Sequence, residues 1–180
     1  MADNFTIRRA YYKDIPELHH IMHKSIQLLQ SDYLSPAQVR ASKEVMGMDT
    51  QLIKDGTYFA VLAGDIYVGC GGWSMRDTLY GGDHTKGRSP RLLDPKTEAA
   101  RIRAMYTHPD WVRRGIGSLI ITHCENEARK AGFRRAEMMA TLAGQPLYAK
   151  HGYEVIERIE DETSNGVKIP LIRMGKDLVG

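Results

Sequence analysis

The chain has 180 residues, which suits a single domain, because one hydrophobic core usually serves roughly 100–200 residues. A hydrophobic content of 42% and a charged content of 26% exclude a disordered chain, and 17 glycines without a triplet period exclude a collagen-like one. The net charge of +3 is too small to argue for a nucleic-acid partner and suits a small anionic ligand equally well. No apolar run approaches the roughly 18–20 residues of a membrane span. Met1–Thr6 carries no basic n-region or apolar h-region, so the expectation is a cytoplasmic protein without a leader. Cys70 and Cys124 are too far apart in sequence to suggest a disulfide scaffold or a cysteine-built zinc site.

Phe5–Arg9 alternates as a short strand. Asp14 and Glu17 have capping-box spacing, and Ile15, Leu18, Met22, Ile26 and Leu29 form one apolar stripe, predicting a helix over 14–31. Ser35 and Pro36 open a second helix, expected to end at Gly47. Residues 57–62 and 66–76 read as a hairpin around Ala63-Gly64-Asp65, with Gly69, Gly71 and Gly72 signalling a bulge or a close backbone approach. Residues 77–98 show no periodicity, and loops this long tend to be functional. Ala100–Thr107 reads as a strand with Ala100, Ile102, Ala104 and Tyr106 on one face. Arg114–Ala131 reads as a helix capped by Gly132, with Ile116, Leu119, Ile120 and Ala128 buried. A strand over 135–140, a short helix over Gln145–His151 and two strands over 153–160 and 167–174 complete a mixed α/β domain. The strand–helix–strand in the middle implies a parallel pair, and the flanking hairpins imply antiparallel neighbours.

Chemistry concentrates at Tyr106–Ser118, where a strand runs into a glycine-containing turn that opens a long helix. A helix N-terminus offers unpaired N–H groups and a partial positive charge. Gly115 and Gly117 lack Cβ, Arg113 and Arg114 add charge, and together they suit a phosphate or pyrophosphate. The segment is not a P-loop, and Ile120 stands where a dinucleotide fingerprint needs its third glycine. The plain alternative is an ordinary tight turn capping a helix.

His108-Pro109-Asp110-Trp111 with Arg113-Arg114-Gly115-Ile116-Gly117-Ser118 resembles motif A of the GNAT superfamily of acyl-CoA-dependent N-acetyltransferases. The departure is Val112, where that family has Gln or Arg. Pro146–Tyr153 is similar to the family's motif B, and Thr141 stands where its usual Asn would be. The resemblance covers nearly the whole chain and implies one GNAT domain: a mixed, mostly antiparallel sheet with a splayed parallel pair, flanked by about four helices.

What the resemblance implies is acetyl transfer from acetyl-CoA to a primary amine, on a small molecule or a protein, with no metal. The pyrophosphate would lie on Val112, Arg113, Arg114, Gly115, Ile116, Gly117 and Ser118. The pantetheine arm would pair with the backbone of Met105, Tyr106 and Thr107. Tyr148 matches the tyrosine that protonates the leaving thiolate. The family often has a Glu on the fourth strand as base, but Arg101 or Arg103 falls there in this chain. Glu98 is then the nearest carboxylate, with Asp83, His84, His108 or a water chain as alternatives. A homodimer is a family-level expectation. The rival is an acyl-CoA-binding domain without catalysis. His19 and His23 have i, i+4 spacing but no third ligand, so solvated side chains are the simpler reading. Trp73 and Trp111 read as packing, and Lys86, Arg88 and Arg91 as a solvated loop or a contact to an anionic substrate.

Overall fold

A computed structural model describes residues 3–179. Seven strands form one sheet in the order β1-β2-β3-β4-β5-β7-β6. They are β1 (Phe5–Arg9), β2 (Tyr58–Ala63), β3 (Ile66–Ser74), β4 (Ala100–Thr107), β5 (Arg135–Ala140), β6 (Glu154–Glu162) and β7 (Lys168–Asp177). Every neighbouring pair is antiparallel except β4 and β5. Five α-helices accompany it: α1 (Ile15–Leu29), α2 (Pro36–Ala41), α3 (Thr50–Lys54), α4 (Ile116–Lys130) and α5 (Gln145–Lys150).

The central strands of the sheet are buried on both sides. One core joins Phe59, Val61, Val68 and Ile102 to Ile116, Ile120 and Cys124 of α4. The other joins Tyr58, Ala60 and Cys70 to Leu18, Ile21 and Met22 of α1 and to Leu52 and Ile53 of α3. Gly69 and Gly71 fulfil the close-approach expectation, because a Cβ on them would stand 2.5 Å from Ile116 Cγ2 and 2.7 Å from Ile120 Cγ2. Their bare backbone lets α4 lie directly on β3. The end of α4 follows its sequence signal. Gly132 takes φ +93°, and the Phe133 N–H reaches back to the Ala128 carbonyl at 3.0 Å.

Four expectations need correction. Asp14 does not cap α1; its buried carboxylate accepts from Arg8 at 2.9 Å, from the Tyr67 hydroxyl at 2.6 Å and from the Tyr11 N–H at 2.7 Å. The second helix stops at Ala41, and a 3₁₀ turn covers Ser42–Glu44, where the Ser42 hydroxyl donates to the Gln38 carbonyl at 2.8 Å. Short α3 then appears, capped by Asp49, whose carboxylate accepts from the Gln51 N–H at 3.0 Å. Finally, β4 does not keep one face throughout. Cys70 faces Tyr106 while Gly72 faces Arg103, so β4 holds one residue more than β3 across this stretch. Ala104 sits in this bulge with φ +49°, its carbonyl accepting from the buried Tyr58 hydroxyl at 2.6 Å. Ala100 and Ile102 therefore join the α4 core, whereas Ala104 and Tyr106 turn toward the α1 core.

Candidate active site

The parallel pair holds only at its start, through Ala100 opposite Ala136 and Arg101 opposite Glu137. Beyond Arg101, β4 has no strand partner on that side among the described residues, while β5 continues along β7 as far as Ala140. The sheet thus opens into a cleft beside Ile102–Thr107, and β4's backbone offers unpaired groups to whatever enters. Met105 packs toward α4, Thr107 pairs with Gly69, and the Tyr106 hydroxyl accepts from the Gly47 N–H at 3.1 Å. These side chains hold the strand while its free edge stays open.

The same end of β4 leads through a 3₁₀ turn at Pro109–Trp111 into α4. Gly115 precedes α4 with φ +86°, and nothing lies within 4 Å of where its Cβ would be, so the helix's first N–H groups are approachable. Arg113 has φ +61°. It and Ala104 are the two non-glycine residues with positive φ among those described, and both border the cleft. Backbone held in this uncommon region concentrates at functional sites. Arg114 lies over the Trp111 ring at 4.6 Å and reaches Asp3 at 3.6 Å. Gly117 also has a packing duty. A Cβ there would stand 2.5 Å from Leu147 Cδ2, so it clears space for α5.

That contact positions Tyr148. Leu147 against Gly117 and a 2.8 Å hydrogen bond between His151 Nε2 and Ser118 Oγ dock α5 on the first turn of α4. The Tyr148 ring packs over Gly144 and meets Tyr153 edge to face at 6.3 Å. Burial, then the nearby Cys124, pushes the Tyr148 hydroxyl up to about 12, so it keeps its proton at neutral pH. The link from His151 to Ser118 had no sequence signal, because it joins residues in different elements.

Glu98 is not brought to this cleft. It precedes the paired end of β4, bonded to Arg91 at 2.7 Å and to the Asp94 N–H at 2.7 Å. Arg91, then that N–H, holds its carboxyl down to about 2, which suits an ion pair and not a proton acceptor. The two arginines where the family often has Glu are also paired, Arg101 with Asp77 at 3.1 Å and Arg103 with Asp49 at 3.0 Å. The loop over 77–98 is anchored, not loose. Arg88 binds Asp49, Thr78 and Ser89 exchange hydrogen bonds at 2.8 and 2.9 Å, and the Tyr80 hydroxyl donates to Asp161 at 2.5 Å.

On the α1 side of β4 lies an open concavity of about 360 Å³. Residues of α1, the segment before α3 and the 77–98 loop converge there, and its wall at Gly47 bonds to Tyr106 of the cleft. His19 and His23 lie at its rim and are exposed, as the reading of solvated side chains expects.

Residues 22–153 match the sequence pattern of the acetyltransferase (GNAT) family. The chain belongs to the GNAT family of acetyltransferases. Solved GNAT proteins share its fold. A GCN5-related N-acetyltransferase from Rhodopseudomonas palustris superposes with a TM-score of 0.73 at 21% identity, covering 98% of each chain. The PaiA N-acetyltransferase of Thermoplasma acidophilum, solved in complex with coenzyme A, gives 0.65 at 12% identity, over 97% of this chain and 99% of that one. A putative acetyltransferase from Salmonella typhimurium, solved with acetyl-CoA, gives 0.65 at 16% identity, over 98% and 95%. No curated protein matches the sequence significantly. This GNAT-type N-acetyltransferase carries the family's mixed sheet with one parallel pair, and five helices where about four were expected.

Proposed function

We propose that this chain transfers an acetyl group from acetyl-CoA to a primary amine. The observation that carries the reading is the end of β4–β5 pairing at Arg101, which leaves an open strand edge beside the α4 N-terminus. An extended pantetheine arm carries amides that can pair with such an edge at Met105–Thr107 as an added strand would. Its pyrophosphate fits the turn from Val112 to Ser118, where the approachable N–H groups, the helix dipole, Arg113 and Arg114 favour negative charge. Val112 contributes backbone only, so affinity rests on the amides and the two arginines. Two proteins of this fold were solved with coenzyme A or acetyl-CoA, which supports the same placement.

The amine, having given up its ammonium proton to solvent water, attacks the thioester carbonyl as the neutral nitrogen; the carbon–sulfur bond breaks and the remaining nitrogen proton passes to water. A backbone N–H of β4 is suited to the developing oxyanion. Tyr148 serves as proton donor to the sulfur. A thiol has a pKa near 8.5, well below the Tyr148 hydroxyl, so the phenol acts chiefly by hydrogen bonding to the charge developing on sulfur. Glu98 has no part in this scheme.

Release of CoA thiol with a panel of amines tests the reading. Tyr148→Phe should lower kcat at least tenfold and leave the acetyl-CoA KM nearly unchanged. Unchanged turnover would remove Tyr148 from the acid role. Acetyl-CoA binding without thiol release for any amine would leave an acyl-CoA-binding domain.

A further inference from the structure

The open concavity beside β4 is sized for a small molecule. Met22, Ile26, Met46 and Met48 form an apolar wall. Asp83, its side chain 46% exposed, is the one carboxylate that lines it, alongside Lys43 and His84.

Asp83 is fixed from two directions. Its backbone N–H donates to the Met48 carbonyl at 2.8 Å, an approach that Gly82 permits, since a Cβ there would lie 2.8 Å from the same oxygen. Its side chain is held through one oxygen alone. Asp83 Oδ1 accepts from the Thr50 N–H at 3.0 Å, from the Thr50 hydroxyl at 3.0 Å and from Arg88 at 3.4 Å. Arg88 is engaged more closely by Asp49 and gives Asp83 only that long contact. Asp83 Oδ2 has no hydrogen-bond partner among the described residues. A carboxylate oriented by one oxygen presents the other, with its lone pairs, to a donor in the cavity.

An alkylamine has a pKa near 10.4 and arrives as an ammonium with N–H donors. We infer that Asp83 Oδ2 receives the ammonium of the acceptor while its apolar stem lies along Met22, Ile26, Met46 and Met48. The acceptor class is then a small primary alkylammonium with an apolar stem. This rests on the acetyl-transfer reading above and deepens it. The group binds the ground state, so its loss shows in the acceptor KM more than in kcat. Closing the cap of α3 is the competing duty of Asp83, and the test separates the two. In Asp83→Asn, one amide oxygen still accepts from Thr50, but the charge and the free oxygen are gone.

The experiment compares n-alkylamines with O-alkylhydroxylamines of equal chain length, which are neutral at pH 7. Asp83→Asn should raise KM at least tenfold for the alkylamines and less than twofold for the neutral nucleophiles and acetyl-CoA. Equal losses for both nucleophiles, or none for the alkylamines, would overturn the assignment. Calorimetric titration of the same alkylamines, without acetyl-CoA, supplies a readout that needs no turnover. Binding to the unmodified protein that weakens at least tenfold in Asp83→Asn supports the subsite even if no acetyl transfer occurs. Absence of binding at millimolar amine, or equal binding to both proteins, counts against it.

Discussion

At the scale of single residues, the most consequential group outside the site is Asp14. It is 1% exposed, yet it is ionised, because Arg8 grips both its oxygens while Tyr67 and the Tyr11 N–H supply further donors. Arg8, followed by these donors, holds its pKa well below the usual carboxylate value, against the opposing effect of burial. A carboxyl whose pKa is depressed by folding stabilises the native state above its unfolded pKa of about 3.9, and loses that contribution as pH falls toward the folded value. Asp14→Asn removes the charge and leaves Arg8 and Tyr67 without their acceptor. It should cost about 3 kcal/mol at pH 7 in urea unfolding. The difference from the unmodified protein should shrink below pH 4, where the unfolded chain takes up a proton at Asp14 while the native carboxylate stays ionised. A difference that stays constant from pH 7 to pH 3 would contradict this account.

Among elements, the docking of α5 on α4 is the joint that ties Tyr148 to the turn before α4. Gly117→Ala places a methyl 2.5 Å from Leu147 Cδ2, so the Leu147 side chain must give way and the seat of α5 beside Tyr148 is disturbed. We expect lower kcat, a higher acetyl-CoA KM and a lower Tm. Leu147→Ala empties the space that the new methyl needs, so the double variant should recover stability relative to the sum of the singles. A coupling of about 1 kcal/mol is reasonable for side chains in contact, and strict additivity would rule out the contact as the cause. This joint also shows where sequence reasoning reached and where it stopped. The order of strands and helices, the glycine-opened turn before α4 and the Gly132 cap were readable because each depends on local spacing. The duty of Gly117 was not, since Leu147 lies in another element. Ala100, Ile102, Ala104 and Tyr106 alternate perfectly in sequence, but pairing with β3 inserts a bulge that no period-2 pattern reveals. Glu98 looked like an available carboxylate until Arg91 closed on it. Asp83 was one of several candidate bases, and only the three donors on Oδ1 single out its other oxygen.

For the whole molecule, the 77–98 loop matters as the piece that joins the sheet to α3 and the concavity beside β4, and one buried group secures it. Asp49 is 2% exposed and accepts from Arg103 of β4 at 3.0 Å, from Arg88 of the loop and from the Gln51 N–H of α3. Arg103, itself 3% exposed, also donates to the Gly81 carbonyl at 2.7 Å and the Thr78 carbonyl at 3.2 Å. One carboxylate therefore links the central strand, the loop and α3. Asp49→Asn keeps an acceptor for the α3 cap but leaves the Arg103 guanidinium buried beside carbonyls alone. Removing one partner of a buried ion pair costs about 3–5 kcal/mol, a large part of the roughly 5–15 kcal/mol that holds a domain folded. Urea unfolding should show that loss. Asp177→Asn, at a side chain 74% exposed, should change stability by no more than about 0.5 kcal/mol. Because Asp83 lies on the loop that Asp49 secures, Asp49→Asn should also raise the acceptor KM and open the loop to limited proteolysis. Its acetyl-CoA KM should move less, since the β4 edge and the α4 turn lie on the other side of the cleft opening. If acceptor and acetyl-CoA constants worsened equally, the loop would have to be counted as part of both sites.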